Sequence, residues 1–126
     1  MPETTKIQSV AILGRGALGV MYGDFLTPRM PEGSVYFLAD AKRCTRYREQ
    51  SLTATGRPCS LLFESPEELN KAPDLLIVAL KGPALESALQ GIKGLISENT
   101  IVISVMNGIS SEDIIEQELG THRIVH

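Results

Sequence analysis

Short, continuously apolar runs alternate with segments of helical periodicity along the 126-residue chain. Each run has the length of a strand and lacks the polar alternation of a half-exposed one, which is typical of a strand buried on both faces of a parallel sheet. Residues 74–80 are the clearest example. The runs predicted as strands are 7–13, 35–39, 74–80 and 101–105, and residues 121–126 resemble the start of another.

The segments between these runs are predicted as helices. Ala17–Leu26 is mostly apolar and ends before Pro28, whereas 41–50 is rich in Arg and Lys and has an exposed face. A short helix is expected at 111–119, with Ser110 as its N-cap. The helix after residue 80 places its apolar side chains on one stripe, formed by Leu85, Ala88, Leu89, Ile92, Leu95 and Ile96.

The region between the second and third long runs has a different pattern. Residues 52–55 and 60–63 flank Gly56-Arg57-Pro58, which predicts a short antiparallel hairpin. A single helical turn is expected at 66–69.

Alternating strands and helices favour an α/β fold of the Rossmann type, with a doubly wound, mainly parallel sheet into which the small antiparallel hairpin is inserted. Ligands of such sheets bind beyond the carboxyl ends of the strands. That rule selects four places that each follow a predicted strand: residues 14–19, 40–43, 81–82 and 107–108.

Composition narrows the class of protein further. Apolar residues make up 43% of the chain and charged residues 21%, as in ordinary globular domains, and the net charge of -3 argues against a nucleic-acid partner. No apolar stretch approaches the roughly 20 residues of a membrane helix, and no signal peptide is visible, so a cytoplasmic protein without a membrane partner is expected. The two cysteines lack metal-ligand spacing, and no metal is predicted.

The clearest candidate for chemistry is a glycine-rich turn that fits G-x-G-x-x-G. The first glycine permits a tight turn, the second lets a pyrophosphate approach the backbone, and the third lets the helix pack on the sheet. The free N–H groups of the following helix N-terminus attract phosphate. A buried strand precedes the motif and a helix follows it, so the turn is interpreted as a dinucleotide site formed by Gly14, Arg15, Gly16, Ala17, Leu18 and Gly19.

The residues after the second strand give a mixed signal about the cofactor. Asp40 favours NAD, because an acidic residue there accepts hydrogen bonds from the adenosine ribose. Lys42 and Arg43 favour NADP, because basic side chains bind its 2′-phosphate. For Arg43, a cofactor contact and an exposed helix face remain equal alternatives.

Two polar residues follow the later strands. Lys81 comes directly after Leu80, which is predicted to line the cofactor site, and such a cation orients a substrate carboxylate or carbonyl. Asn107 is a candidate contact to substrate or cofactor, and Gly108 permits the turn there. Read alone, Lys81 is an exposed lysine and Asn107-Gly108 an ordinary turn dipeptide.

These segments together resemble the N-terminal domain of the ketopantoate reductase (2-dehydropantoate 2-reductase) family. The likeness rests on Gly-Arg-Gly-Ala-Leu-Gly at 14–19, Val-Ala-Leu-Lys at 78–81 and Thr-Ile-Val-Ile-Ser-Val-Met-Asn-Gly-Ile at 100–109, in that order. It implies an NADPH-dependent reduction of 2-dehydropantoate, a 2-keto acid, to pantoate on the way to pantothenate and coenzyme A. It also implies that Lys81 and Asn107 lie beside the nicotinamide and the substrate.

This chain departs from the family pattern at one position, and the resemblance has one consequence for domain organisation. The family commonly has an arginine at the end of the second strand, where this chain has Asp40, so NAD stays open beside NADP. The family's proton-donating lysine and a substrate-binding glutamate belong to a helical C-terminal domain. We therefore expect residues 1–126 to be an NAD(P)-binding domain that is inactive without that domain, and a homodimer in the full-length form.

Two alternatives to this interpretation remain. The chain is compatible with the first domain of another β-hydroxyacid dehydrogenase-like 2-keto acid reductase, which has the same sheet and glycine turn. It is also compatible with a module that senses a dinucleotide without catalysis. Lys81 and Asn107 discriminate against such a sensor, because it has no need of polar groups beside the nicotinamide.

Overall fold

The described part of the chain alternates strands and helices. The computed structural model describes residues 7–14, 17–48, 52–54, 57–59, 62–69, 72–80, 83–97, 100–105 and 124–125. The strands are β1 (Val10–Leu13), β2 (Val35–Leu38), β3 (Leu52–Ala54), β4 (Arg57–Cys59), β5 (Phe63–Glu64), β6 (Leu75–Val78), β7 (Ile101–Ser104) and β8 (Ile124–Val125). The α-helices are α1 (Ala17–Leu26), α2 (Ala41–Arg48) and α3 (Pro83–Ile92), and 3-10 turns span Thr27–Arg29 and Pro66–Glu68.

Six of these strands form one sheet in the order β5-β2-β1-β6-β7-β8. Every pairing within it is parallel. The chain moves outward from β1 to β2 and β5, then returns to the other side of β1 for β6, β7 and β8. This reversal confirms the predicted doubly wound, Rossmann-type fold and creates a topological switch point between β1 and β6.

Burial on both faces explains why the central strands are continuously apolar. All four residues of β1, of β2 and of β6 are buried. Alternate side chains enter two separate clusters, since successive strand residues point to opposite faces. On one face Ala11, Tyr36 and Leu76 pack with α3; on the other Ile12 and Phe37 pack with α1 and α2.

The apolar stripe predicted after β6 is confirmed. Leu85, Leu89 and Ile92 of α3 are buried in the core, and Ala88, Leu95 and Ile96 pack against it partly exposed. The α-helix itself ends at Ile92, and the N–H of Leu95 donates to the carbonyl of Ile92 in a final turn.

The hairpin region departs from its predicted boundaries. Strand β3 pairs antiparallel with β4, so the second arm is Arg57–Cys59 and not the predicted 60–63. Phe63 instead joins the main sheet, where it pairs in parallel with Phe37. Its ring is buried 5.2 Å from the ring of Phe37, and burial of a large aromatic side chain in the core favours this pairing over extension of the hairpin.

The 3-10 turn after β5 follows the prediction of a single helical turn. Ser65 caps it: the backbone N–H of Ser65 donates to Oε1 of Glu68, and Pro66 occupies the first position, where no N–H is needed.

Helix α1 has apolar side chains on both of its faces. Val20 is buried against the sheet, whereas Leu18, Met21 and Phe25 are 39%, 48% and 53% exposed. No helix within the described ranges is long and apolar enough to cross a membrane. The predicted helix at 111–119 lies outside the described residues.

Candidate functional site

The turn after β1 brings Gly14 against the end of β6. Gly14 has φ +108°, a left-handed conformation that side chains disfavour. A Cβ atom built there would lie 2.7 Å from the carbonyl oxygen of Ala79 and 2.9 Å from Cγ of Leu80. The first glycine of the motif is therefore required both by its backbone angle and by the close approach of β6 at the switch point.

Gly19 fixes the position of the helix that follows. A Cβ atom at Gly19 would overlap the carbonyl oxygen of Gly14 and lie 3.5 Å from Cγ2 of Ile12. Helix α1 thus packs directly on the turn and the first strand, as the sequence predicted for the third glycine. Its first residue, Ala17, follows the turn, so the N-terminus of α1 opens at the carboxyl edge of the sheet.

A fourth glycine extends the same close contact. A Cβ atom at Gly23 would lie 2.8 Å from the ring of Phe37. Gly23 was not among the predicted site residues, although its spacing of four residues from Gly19 places both on one face of the helix.

Asp40 has a structural role at the start of α2. Its carbonyl accepts the N–H of Cys44 at 2.9 Å, and its Oδ1 accepts the backbone N–H of Arg43 at 2.8 Å. Both bonds are typical of an N-cap residue. Its Oδ2 lies 3.5 Å from Nε of Arg43, with both side chains more than half exposed. Asp40, which favours NAD, and Arg43, which favours NADP, therefore form an ion pair with each other. Lys42, between them in the sequence, is exposed.

A cavity of about 330 Å³ joins these features. It is lined by Leu13 and Gly14 at the end of β1, by Asp40 and Arg43 at the start of α2, and by Leu80 after β6. It lies beyond the carboxyl ends of β1, β2 and β6, where the strand-end rule places a ligand. Four predicted contacts line this one cavity: Gly14, Asp40, Arg43 and Leu80. A fifth, Gly19, lies against Gly14.

Several other residues that line the cavity were not predicted. They are Ser87, Ala88 and Gly91 of α3 and Pro66 and Glu67 of the 3-10 turn. The one signal in the sequence was Gly91, a glycine inside a helical pattern, which costs stability and points to a packing or functional reason.

Several predicted site residues lie outside the described residues: Arg15, Gly16, Lys81, Gly82, Asn107 and Gly108. Their contacts remain predictions. Within the described ranges, no three His, Cys, Asp or Glu side chains form a group that could hold a metal ion.

Comparison with known proteins points to one family. Residues 10–126 match the family model described as "Ketopantoate reductase PanE/ApbA". The chain is 31% identical over 120 residues to a 2-dehydropantoate 2-reductase of Streptococcus pyogenes, with 92% of the chain aligned. It is 30% identical over 123 residues to the 2-dehydropantoate 2-reductase of Lactococcus lactis, with 91% aligned. It spans 38% of the length of each of these relatives.

A solved structure gives the same fold. A D-mandelate dehydrogenase in complex with NADH and anilino(oxo)acetate superimposes with a TM-score of 0.72 at 28% identity. The superposition covers 92% of this chain and 39% of that one.

Proposed function

The chain belongs to the ketopantoate reductase family, and we propose that residues 1–126 are the cofactor-binding domain of a 2-dehydropantoate 2-reductase. The observation that carries the proposal is the position of Gly14. Its backbone has a left-handed conformation, it packs closely against Ala79 and Leu80, and it lines the cavity at the carboxyl ends of the strands. A glycine at this turn, which has no side chain of its own, lets a pyrophosphate approach the backbone beside the N-terminus of α1. When bound, the reduced dinucleotide supplies the hydride that converts the ketone of the substrate to an alcohol.

The cavity is the proposed position of the adenosine half of such a cofactor. Asp40 and Arg43 stand at the end of β2, where the adenosine ribose of a dinucleotide is held in this fold. The rest of the molecule would cross Gly14 toward the ends of β6 and β7.

The sequence offers a basis for NADP in Lys42 and Arg43 and a basis for NAD in Asp40, and the contacts of Asp40 support NAD. The capping bond fixes the Asp40 carboxylate beside the cavity, where it accepts ribose hydroxyls and repels a 2′-phosphate. Arg43 is already paired with that carboxylate. The D-mandelate dehydrogenase relative, whose complex contains NADH, supports NAD as well.

The proposed binding site has a direct test. Calorimetric titration of residues 1–126 with NADH and with NADPH should show binding, and Gly16→Val should abolish it by placing a side chain where the pyrophosphate lies. Gly94→Val is the control, because a Cβ at Gly94 meets nothing within 4 Å and Gly94 does not line the cofactor cavity. Undiminished affinity in Gly16→Val would refute the dinucleotide site.

Lys81 and Asn107 are proposed to orient the substrate and the nicotinamide. Both follow strands whose carboxyl ends adjoin the switch point, β6 and β7. In the full-length protein Lys81→Ala and Asn107→Ala should lower kcat/KM for the keto acid. For Lys81→Ala the dissociation constant of the cofactor should change little, because the lost interaction belongs to the transition state. Unchanged kinetics in Lys81→Ala would mean that this lysine is an ordinary surface residue.

Residues 1–126 alone should not turn over substrate. The alkoxide formed by hydride transfer needs a positioned proton donor, which contributes typically about 10²–10⁴-fold to the rate. We propose that the donor lies in the part of the relatives' length that this chain, which spans 38% of it, does not cover. Measurable reduction of 2-dehydropantoate by the chain alone would contradict this division.

A second substrate class is favoured by one observation. The D-mandelate dehydrogenase relative was crystallised with anilino(oxo)acetate, an oxo acid anion. A reductase of other 2-keto acids on the same cofactor domain is therefore the second candidate. Steady-state comparison of 2-dehydropantoate with benzoylformate in the full-length protein distinguishes the two.

A further inference from the structure

Glu67 is an exposed acidic residue of the 3-10 turn that follows β5. Its neighbour Glu68 holds the turn together, because Oε1 of Glu68 accepts hydrogen bonds from the backbone N–H and the hydroxyl of Ser65. Pro66 fixes the first position of the same turn. Glu67 takes no part in this cap, and its carboxylate is free to act on whatever lies beside the turn.

The register of the sheet places this turn beside the end of β2. Leu38 pairs with Glu64 across the two parallel strands, and the N–H of Ala39 donates to the carbonyl of Glu64 at 3.2 Å. Asp40 follows Ala39 directly, and Glu67 lies three residues after Glu64. Since neighbouring strands are about 4.8 Å apart, the two acidic residues extend from adjacent strand ends at the same edge of the sheet.

The cofactor cavity has an unbalanced charge. Its charged lining residues within the described ranges are Asp40, Arg43 and Glu67, two carboxylates and one guanidinium, which leaves one negative charge in excess. The guanidinium is paired with Asp40, whose Oδ2 lies 3.5 Å from Nε of Arg43. Lys42 is not among the described lining residues. Glu67 therefore supplies the excess negative charge.

Glu67 also lines the adjoining groove of about 490 Å³, so its carboxylate lies between two cavities. This position does not weaken an electrostatic effect on the cofactor cavity. A charge acts through space over the screening length, about 8 Å at physiological ionic strength, and needs no exclusive contact with a ligand.

We propose that Glu67 is a specificity-determining residue that acts with Asp40 to exclude a phosphorylated adenosine ribose, so that the site selects NADH over NADPH. The inference rests on the proposed function and extends cofactor selection to the turn after β5. The 2′-phosphate of NADPH is a phosphate monoester with a charge of about -1.5 to -2 at pH 7, whereas the ribose hydroxyl of NADH is neutral. A carboxylate beside the site therefore opposes binding of NADPH without a matching effect on NADH.

Glu67→Gln removes the charge and keeps the size of the side chain. The affinity for NADPH should rise by about threefold, the magnitude of an exposed charge interaction, and the affinity for NADH should stay unchanged. Glu67→Lys should raise the affinity for NADPH by about tenfold, because reversal changes the charge by two units. Calorimetric titration of residues 1–126 with both cofactors measures these ratios.

Ionic strength gives a readout that a structural role would not change. The screening length falls from about 30 Å at 0.01 M to about 3 Å at 1 M ionic strength. The advantage of Glu67→Gln over the wild type in NADPH affinity should therefore be present at low salt and disappear at high salt. Attraction of the phosphate to basic residues is common to both proteins and cancels in this comparison.

Glu32→Gln is the matched control. Glu32 is also exposed, but it precedes β2 and thus lies at the amino edge, with the whole strand between it and the cavity. This variant removes the same charge from the chain and should bind both cofactors as the wild type does.

Each outcome bears on a stated claim. A wild-type ratio of NADPH to NADH affinity in both Glu67 variants overturns the inference and leaves the proposed function intact. The inference also fails if Glu32→Gln raises the ratio equally, if the advantage of Glu67→Gln persists at high salt, or if Glu67→Gln changes the affinities for both cofactors alike. Absence of binding of both cofactors to the wild type overturns the proposed function, and the inference with it.

Discussion

The carboxylate of Asp40 holds Arg43 at two points: Oδ1 accepts its backbone N–H at 2.8 Å, and Oδ2 lies 3.5 Å from Nε of its side chain. Asp40 thus caps α2, pairs with the Arg43 guanidinium and lines the cavity at the strand ends. A substitution at Asp40 therefore changes helix stability and cofactor choice together unless the new side chain preserves the cap.

Asp40→Asn should separate those two effects. Asparagine is as good an N-cap as aspartate, so the free energy of unfolding should change little. Loss of the negative charge releases Arg43 and removes the repulsion of a 2′-phosphate, so the ratio of NADPH to NADH affinity should rise by about tenfold, or ~1.4 kcal/mol. Calorimetric titration of both cofactors measures the ratio. An unchanged ratio would mean that the Asp40 carboxylate does not contact the adenosine ribose.

Two further variants complete this comparison. Asp40→Ala should raise the same ratio but also cost about 1 kcal/mol of stability through the lost cap. Arg43→Ala should weaken NADPH and leave NADH unchanged.

Gly14→Ala should destabilise the domain more than Gly33→Ala. Both glycines have positive φ, but a Cβ at Gly33 meets open space, whereas one at Gly14 lies 2.7 Å from the carbonyl oxygen of Ala79. Gly33→Ala carries the conformational strain alone, roughly 1–2 kcal/mol. Gly14→Ala adds steric overlap, for a total of about 3 kcal/mol or more. Urea unfolding compares the two, and equal losses would show that β6 shifts freely away from the turn.

Cofactor binding should distinguish the same pair of variants. Gly14→Ala should lose the dinucleotide, because it disturbs the turn that lines the cavity. Gly33→Ala should keep it.

The parts of this molecule that were predictable are those encoded by local patterns. Central strands buried on both faces leave continuous apolar runs, and α1 begins and ends where the motif and Pro28 predicted. The first and third glycines could be given their roles because the G-x-G-x-x-G spacing, the preceding strand and the following helix are all local features.

The parts that were missed depend on contacts between distant segments. Nothing local to Phe63 shows that its ring will pack on Phe37, and this contact moved the segment out of the predicted hairpin. Gly91 and Glu67 line the same cavity as Asp40 because the strand order brings the turn after β5 and helix α3 near the end of β2. Periodicity does not specify such an arrangement.

Ionisation of the buried Tyr36 phenol should lower the free energy of unfolding of the domain at alkaline pH. Burial, and then the nearby charges of Glu64 and Asp74, raise the pKa of this phenol above its usual 10.0. The folded state therefore keeps the proton at a pH where the unfolded state has lost it. The corresponding stability is fully present below pH 10.0 and is lost as the pH rises toward the folded-state pKa.

Tyr36→Phe removes this titration and provides the control. The difference in unfolding free energy between wild type and Tyr36→Phe should be constant from pH 7 to 9 and should shift in favour of the variant above about pH 10. Urea unfolding across this range measures it. A difference that stays constant to pH 11 would show that the phenol ionises equally in both states.

The hydroxyl of Thr100 should stabilise the amino edge of the sheet and should not affect the affinity for the cofactor. Its side chain is fully buried, and Oγ1 donates to the carbonyl of Pro73 at 2.8 Å while accepting the N–H of Ser97 at 3.3 Å. These bonds join the segments that lead into β6 and β7, at the edge opposite the cavity. Thr100→Val preserves the shape but leaves the buried carbonyl of Pro73 without this donor, at a cost of roughly 1–3 kcal/mol.

Thr100→Ser tests whether the hydroxyl is responsible. It keeps the donor and loses one methyl group, so it should cost only about 0.8 kcal/mol. Urea unfolding should therefore rank wild type above Thr100→Ser and Thr100→Ser above Thr100→Val. Titration with NADH should give the same dissociation constant for all three, because β6 and β7 separate this residue from the carboxyl edge. If Thr100→Val binds the cofactor more weakly while remaining folded, the two edges of the sheet are coupled, and affinities measured for variants at the cavity must be corrected for their stability.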